Sequence, residues 1–177
     1  ASAPQVPRPR MDLAALWTRA GQATKACKTL TEALYAAPSA IPLIAPLLAQ
    51  SALAAGEGEA TLALLKSTYL DVPSLDVLDA IVTLEASSSE LTPTARDWYA
   101  RHLEKEPSLV AATKWIAGEK LEREAYHPQV QRALDHAVKP LTRYRCAACG
   151  FEAKVHFWQC PGCQAWDSYP ARRVEEL

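Results

Sequence analysis

Four cysteines near the end of the chain carry its plainest chemistry. Cys146, Cys149, Cys160 and Cys163 stand in the stretch YRCAACGFEAKVHFWQCPGCQAWD with the spacing C-x2-C-x10-C-x2-C. Two residues between thiols make a tight turn that aims both sulfurs at one point. Gly150, after the second cysteine, lets the backbone fold over them. The second turn reads Cys-Pro-Gly-Cys. Facing each other, two such turns build a tetrahedral cage with metal–sulfur distances of about 2.3 Å, and four thiolates leave no open coordination position. An ion held there is structural or electron-carrying, not hydrolytic.

Two other uses of the thiols are weaker. Disulfide bonding needs an oxidising compartment, and the paired close spacing and lack of other secreted features speak against it. A thioredoxin-like redox pair needs one Cys-x-x-Cys at a helix start in a βαβ setting. Between the turns, residues 152–158 alternate like a strand, with Ala153, Val155 and Phe157 on one side, which predicts a small β-ribbon. A module of about 35 residues buries too little apolar area to fold alone, whereas a bound metal contributes on the order of 10 kcal/mol. Phe151, Phe157, Trp158, Trp166 and Tyr169 are expected to pack under the metal or against the preceding helices. His156 reads as a surface residue or a neighbour of the ligands rather than a fifth ligand.

The elements that must carry this module are helical and repeated. Pro38, Pro73 and Pro107 lie 35 and 34 residues apart, each closing a helical stretch. Gly21, Ala26, Leu30, Ala33 and Leu34 precede the first; Gly56 or Gly58, Ala60, Leu64 and Leu65 the second; Ala95, Tyr99 and Leu103 the third. Small residues let helices approach, bulky ones fill the groove, and proline stops the helix. The spacing matches the second helix of a tetratricopeptide repeat. First helices are expected at 11–20, 41–55, 75–87 and 109–124, and second helices at 24–37, 59–69, 92–105 and 128–139. Ser87–Glu90 supplies a break, with Thr92 as N-cap and Pro93 at the first helical position.

The predicted fold class is thus an all-α superhelical solenoid of tetratricopeptide-like hairpins over residues 11–140, after a loose lead-in at 1–10, with a small β-ribbon metal domain over 141–177. Such stacks leave a concave groove that binds another protein. Formal net charge is −1, divided as −2 over residues 1–140 and +1 over 141–177, which offers no nucleic-acid surface. The most apolar run, 40–56, is interrupted by Pro42, Pro46 and Gln50 and falls short of a membrane span. His102, His127 and His136 are isolated and read as surface or cap residues, and Cys27 as a small core residue. No catalytic constellation, nucleotide-sugar domain or paired carboxylate site is visible.

Repeats running into YRCAACGF…HFWQCPGCQAW, with a Trp-x-x-Tyr-Pro ending, resemble the lipopolysaccharide assembly protein B family of Gram-negative bacteria, most specifically from Tyr144 to Arg173. The resemblance implies a rubredoxin-like domain in which Cys146, Cys149, Cys160 and Cys163 hold one iron ion, zinc being an equally good physical fit. It also implies a non-enzymatic adaptor that presents the lipid A pathway deacetylase (LpxC) to the membrane protease FtsH at the cytoplasmic face of the inner membrane. The chain, beginning with Ala and having Met11 as its only methionine, is then expected to be the C-terminal half of an anchored protein. Self-association is compatible with such a scaffold. The alternative is an electron-transfer rubredoxin fused to a docking scaffold.

Overall fold

The computed structural model describes residues 6–86, 93–118 and 127–177. The chain divides into two compact units, Ala1–Glu90 and Leu91–Leu177.

The first unit is a succession of antiparallel helices: α1 (Arg8–Arg19), α2 (Ala23–Ala36), a 3₁₀ turn at Pro38–Ala40, α3 (Ile41–Ala55), α4 (Gly58–Asp71) and α5 (Leu75–Glu85). Each helix packs on the next, and α3 also lies against α5. The two tight hairpins share one turn chemistry. Gly21 and Gly56, 35 residues apart, adopt φ of +70° and +74°. The residue after each donates its N–H back to a carbonyl five residues earlier, Gln22 to Trp17 and Glu57 to Ala52, both at 2.9 Å. This is the left-handed helix stop that glycine makes without a Cβ clash.

The buried face of α2 (Ala26, Leu30, Ala33, Leu34) recurs 35 residues on as Thr61, Leu65, Thr68 and Tyr69 on α4. The expected register on α4 is therefore corrected by one residue: Ala60 is exposed, Leu64 half-buried, and Thr61 takes the close-approach position. Threonine is tolerated there because its hydroxyl lies 3.9 Å from the Cys27 sulfur. Cys27 is buried as expected, and burial, first, pushes its thiol above the usual range.

The run Pro38–Ala55 has the length and a mean hydropathy, 1.4, of a membrane span. Ile41, Ile44, Ala45, Leu48, Ala49 and Ala52 are nevertheless buried among the neighbouring helices, and α3 serves as the core of the unit. Pro46 sits inside it without ending it.

The second unit comprises α6 (Pro93–Lys105), α7 (Leu109–Ala117), α8 (His127–Val138), the strands β1 (Tyr144–Arg145) and β2 (Glu152–Ala153), and a 3₁₀ turn at Val174–Glu176. Pro93 opens α6 as expected, and Thr92 and the break at 87–90 lie outside the described residues. The helix expected over 109–124 is shorter: α7 ends at Ala117, where the Gly118 N–H turns back to the Trp115 and Ile116 carbonyls. The repeat period continues in Tyr99 and His102, which stand 34 residues after Leu65 and Thr68 and are both buried. This overturns the surface reading of His102. His127 is half-buried, its Nε2 3.3 Å from the Ile116 carbonyl oxygen, and His136 is exposed.

The Pro-Ser pairs at 73–74 and 107–108 mark helix starts. Ser74 accepts the Val77 N–H at 3.2 Å, and Ser108 accepts that of Ala111 at 2.9 Å. Each hydroxyl satisfies one of the donors a helix N-terminus leaves unpaired.

Candidate metal centre

The two cysteine turns are near copies of each other, offset by 14 residues. In the first, the Cys146 N–H donates to the Phe151 carbonyl at 2.9 Å and the Gly150 N–H to the Cys146 carbonyl at 2.8 Å. In the second, Cys160 donates to Ala165 at 2.9 Å and Gln164 to Cys160 at 2.8 Å. Both turns need a left-handed residue in fifth place, directly after the second cysteine. Gly150 supplies it at φ +76°, whereas Gln164 does so at +61°, a conformation that costs a side-chain-bearing residue roughly 1–2 kcal/mol. The leading cysteines, Cys146 and Cys160, are buried, and the trailing ones, Cys149 and Cys163, are exposed.

The structure brings all four sulfurs within 4.8 Å of one another. Cys146 Sγ lies 3.8 Å from Cys163 Sγ, and Cys149 Sγ 3.7 Å from Cys160 Sγ. A regular tetrahedron with a metal–sulfur distance of about 2.3 Å has edges of about 3.8 Å, whereas a disulfide needs about 2.05 Å. The donor set and its spacing fit one tetrahedral thiophilic ion, and the thiols are unbridged.

Electrostatics point the same way. Ser168 Oγ lies 3.2 Å from Cys146 Sγ. This hydroxyl, aided by the N–H groups of Cys149 and Ala148 against the cost of burial, pushes the Cys146 thiol down to about 6. At Cys160 burial opposes ionisation, but the N–H groups of Cys163 and Gly162 prevail and lower it. At Cys149 the Phe151 N–H favours the thiolate, yet the neighbouring thiols, Cys163 foremost, together with burial drive it up to about 12. Four thiols so close ionise only in part unless a cation joins them.

The ribbon around the cage is shorter than its sequence suggests. β1 and β2 pair antiparallel, Tyr144 opposite Ala153 and Arg145 opposite Glu152. The strand expected over 152–158 stops at Ala153, and Val155 is exposed. Strand alternation gives way because His156 turns inward: its Nε2 lies 3.0 Å from the Tyr169 carbonyl oxygen, and its ring meets those of Tyr144, Trp158 and Tyr169 edge-on. Of the expected aromatics, Tyr169 is buried with its hydroxyl 4.0 Å from Cys160 Sγ and donates to the Phe151 carbonyl at 3.1 Å. Phe157 packs edge-on against it, whereas Phe151 and Trp166 are exposed.

Sequence reading missed Glu175. Its carboxylate accepts from the Ser108 hydroxyl at 2.9 Å and from the N–H groups of Leu109 and Val110 at 2.6 and 3.1 Å. The tail beyond the ribbon thereby caps α7, where a carboxylate is favoured by the helix dipole. Its backbone is tied down too, Val174 N–H donating to the Arg143 carbonyl at 2.8 Å and Glu175 N–H to that of Leu141 at 3.2 Å.

A short ribbon bearing two cysteine turns around a four-sulfur cage defines a rubredoxin-type metal-binding module, and residues 144–169 match the family described as rubredoxin metal binding domain. More particularly, this chain is 44% identical over 41 residues to lipopolysaccharide assembly protein B of Escherichia coli strain K12, and equally to that of strains O6:H1 and O157:H7. The match covers 23% of this chain and 10% of each relative.

Proposed function

We propose that this chain is the client-binding, metal-stabilised portion of a non-enzymatic adaptor in lipopolysaccharide assembly. The observation that carries the reading is the four-sulfur cage within the segment shared with lipopolysaccharide assembly protein B. In it, Cys146, Cys149, Cys160 and Cys163 hold one iron or zinc ion. When bound, the ion supplies charge neutralisation and a fixed fold, with no coordination position for a substrate. The helical hairpins, read as tetratricopeptide-like, supply protein-binding surface. Supporting this, α1 and α3 border an apolar cleft of about 450 Å³, lined by residues such as Met11, Ala15, Leu47 and Ala54 and floored by Leu30.

On the finer reading, the client is the deacetylase LpxC, presented to the protease FtsH at the cytoplasmic face of the inner membrane. The test is co-purification of LpxC and FtsH with the full-length protein, its Cys160→Ser form and a form lacking 141–177, with metal analysis of each. Capture by the parent and loss in both altered forms is expected; undiminished capture by both refutes the role given to the module.

A second reading, electron transfer, is favoured by the exposure of Cys149 and Cys163, which would bring the ion's ligands to the surface. A reversible one-electron couple in the iron-loaded protein, together with a reductase partner, supports it. Tightly held zinc in protein isolated from cells opposes it.

A further inference from the structure

Ser168 stands between the two cysteine turns and is held by both. Its carbonyl accepts the Ala147 N–H of the first turn at 2.7 Å. Its hydroxyl oxygen lies 3.2 Å from Cys146 Sγ, again in the first turn, and 3.2 Å from the carbonyl oxygen of Ala165, which closes the second. The chain is bent to bring it there. Asp167, just before it, takes φ of +50°, a left-handed conformation costly for a residue with a side chain, and its N–H is anchored on the Trp158 carbonyl at 2.8 Å. Such strain persists only where the surroundings hold it, and here it aims a hydroxyl at a sulfur.

That hydroxyl has one proton and two acceptors in reach. While Cys146 is a thiol, its S–H can donate to Ser168 Oγ, and the Ser168 proton can go on to the Ala165 carbonyl. As a metal ligand the sulfur has given up its proton to solvent and can only accept. Turning the hydroxyl towards it then makes a hydrogen bond to a charged acceptor, stronger than one to a carbonyl. Ala165 is not orphaned by the turn, because its carbonyl also accepts the Cys160 N–H at 2.9 Å. Water is a poor substitute, Cys146 being 1% exposed. The other buried sulfur has no hydroxyl so placed: that of Tyr169 stands 4.0 Å from Cys160 Sγ and donates to the Phe151 carbonyl at 3.1 Å.

We propose that Ser168 is a positioning residue of the metal centre, its hydroxyl turning from the Ala165 carbonyl to the Cys146 sulfur when an ion is bound, fixing that ligand and drawing off part of its charge. The proposal rests on the reading of the four cysteines as a metal cage. It gives Ser168 a part in how tightly the ion is kept and in how electron-rich its ligands are.

The test loads the full 177-residue chain with zinc and, separately, with iron, in the parent, Ser168→Ala and Ser168→Thr forms. Competition with a chromophoric chelator at fixed pH gives the zinc affinity, and the iron-loaded chain gives a reduction potential. Ser168→Ala is expected to bind zinc about tenfold more weakly. Its potential should move to a more negative value, because a hydrogen bond donated to a ligand sulfur favours the electron-rich reduced state. Ser168→Thr, which keeps the hydroxyl, should match the parent in both. A hydroxyl that serves only the Ala165 carbonyl would leave the potential unmoved, and that result overturns the proposal. So does parent-like zinc affinity in Ser168→Ala, or a loss in Ser168→Thr as large as in Ser168→Ala. A parent chain that takes up neither metal overturns the cage itself, so the two failures are told apart.

Discussion

Leu30 and Leu65 stand at equivalent places on α2 and α4, each almost wholly buried among other apolar side chains. In the ribbon the fully buried residues between 144 and 169 are Tyr144, Cys146, Cys160 and Tyr169, so half of that small core consists of candidate metal ligands. The hairpins of the first unit draw their stability from repeated apolar contact, which no single residue controls. On the proposed reading the ribbon would draw its own from one ion, since without it four crowded thiols stand in for a core. One region should therefore fail gradually under substitution and the other all at once.

The largest break in that comparison is Cys160→Ser. Its expected result is loss of the bound metal and of the ribbon's dispersed NMR signals, while helical circular dichroism persists. Retention of one metal per chain would refute the four-sulfur site. Next comes overpacking in the first unit. Ala26 is completely enclosed, so Ala26→Trp is expected to cost about 1–3 kcal/mol in denaturant unfolding. Ala60→Trp, on the exposed side of α4, should change stability by no more than about 0.5 kcal/mol. Equal effects of the two would undo the one-residue register on α4.

That register also shows what could be read in advance. Most of the helices among the described residues fall within a few residues of where proline and apolar periodicity place them, because those signals are local; the exceptions are α1, which begins at Arg8 inside the expected lead-in, and α7, which ends at Ala117 rather than 124. The four cysteines were legible for the same reason: each turn is closed within six residues. Ala60 misled because alanine is the usual small residue at a close approach, and the adjacent Thr61 hides the same role behind a hydroxyl. His102 was misread as an isolated polar residue; carrying the period from Ala33 through Thr68 would have placed it inside. Glu175 gave no signal at all, its partner Ser108 being 67 residues away.

Glu175 gives the comparison a finer test, since it links the ribbon's tail to a helix. Glu175→Ala removes the carboxylate cap from α7 and should cost about 1 kcal/mol, seen as faster amide exchange at Leu109 and Val110 with metal content unchanged. Slow exchange at both amides would show that the cap carries no weight. A comparable effect of opposite sign is expected in the second cysteine turn. Gln164→Gly relieves a left-handed side-chain residue and should stabilise the metal-loaded ribbon by up to about 1 kcal/mol, measured as a higher denaturation midpoint.

The gentlest probe is pH, acting through His156. Burial, first, lowers its pKa from the ordinary 6.5, while the Tyr169 carbonyl and the Asp167 charge pull it partly back. In its neutral form with the proton on Nε2, the ring donates to the Tyr169 carbonyl; a second proton on Nδ1 would lie among the rings of Tyr144 and Trp158. With the folded value depressed, the unfolded chain binds the proton first as pH falls. The contribution of His156 is therefore complete above about 6.5 and lost as pH drops through the lower folded value. Thiol protonation expels metal in the same direction, so unfolding curves alone cannot separate the two. The imidazole proton resonances of the zinc-loaded chain can, titrated only over the range where zinc stays bound. A midpoint below 6.5 is expected, and one at or above it would mean that the ring is not enclosed as the structure has it.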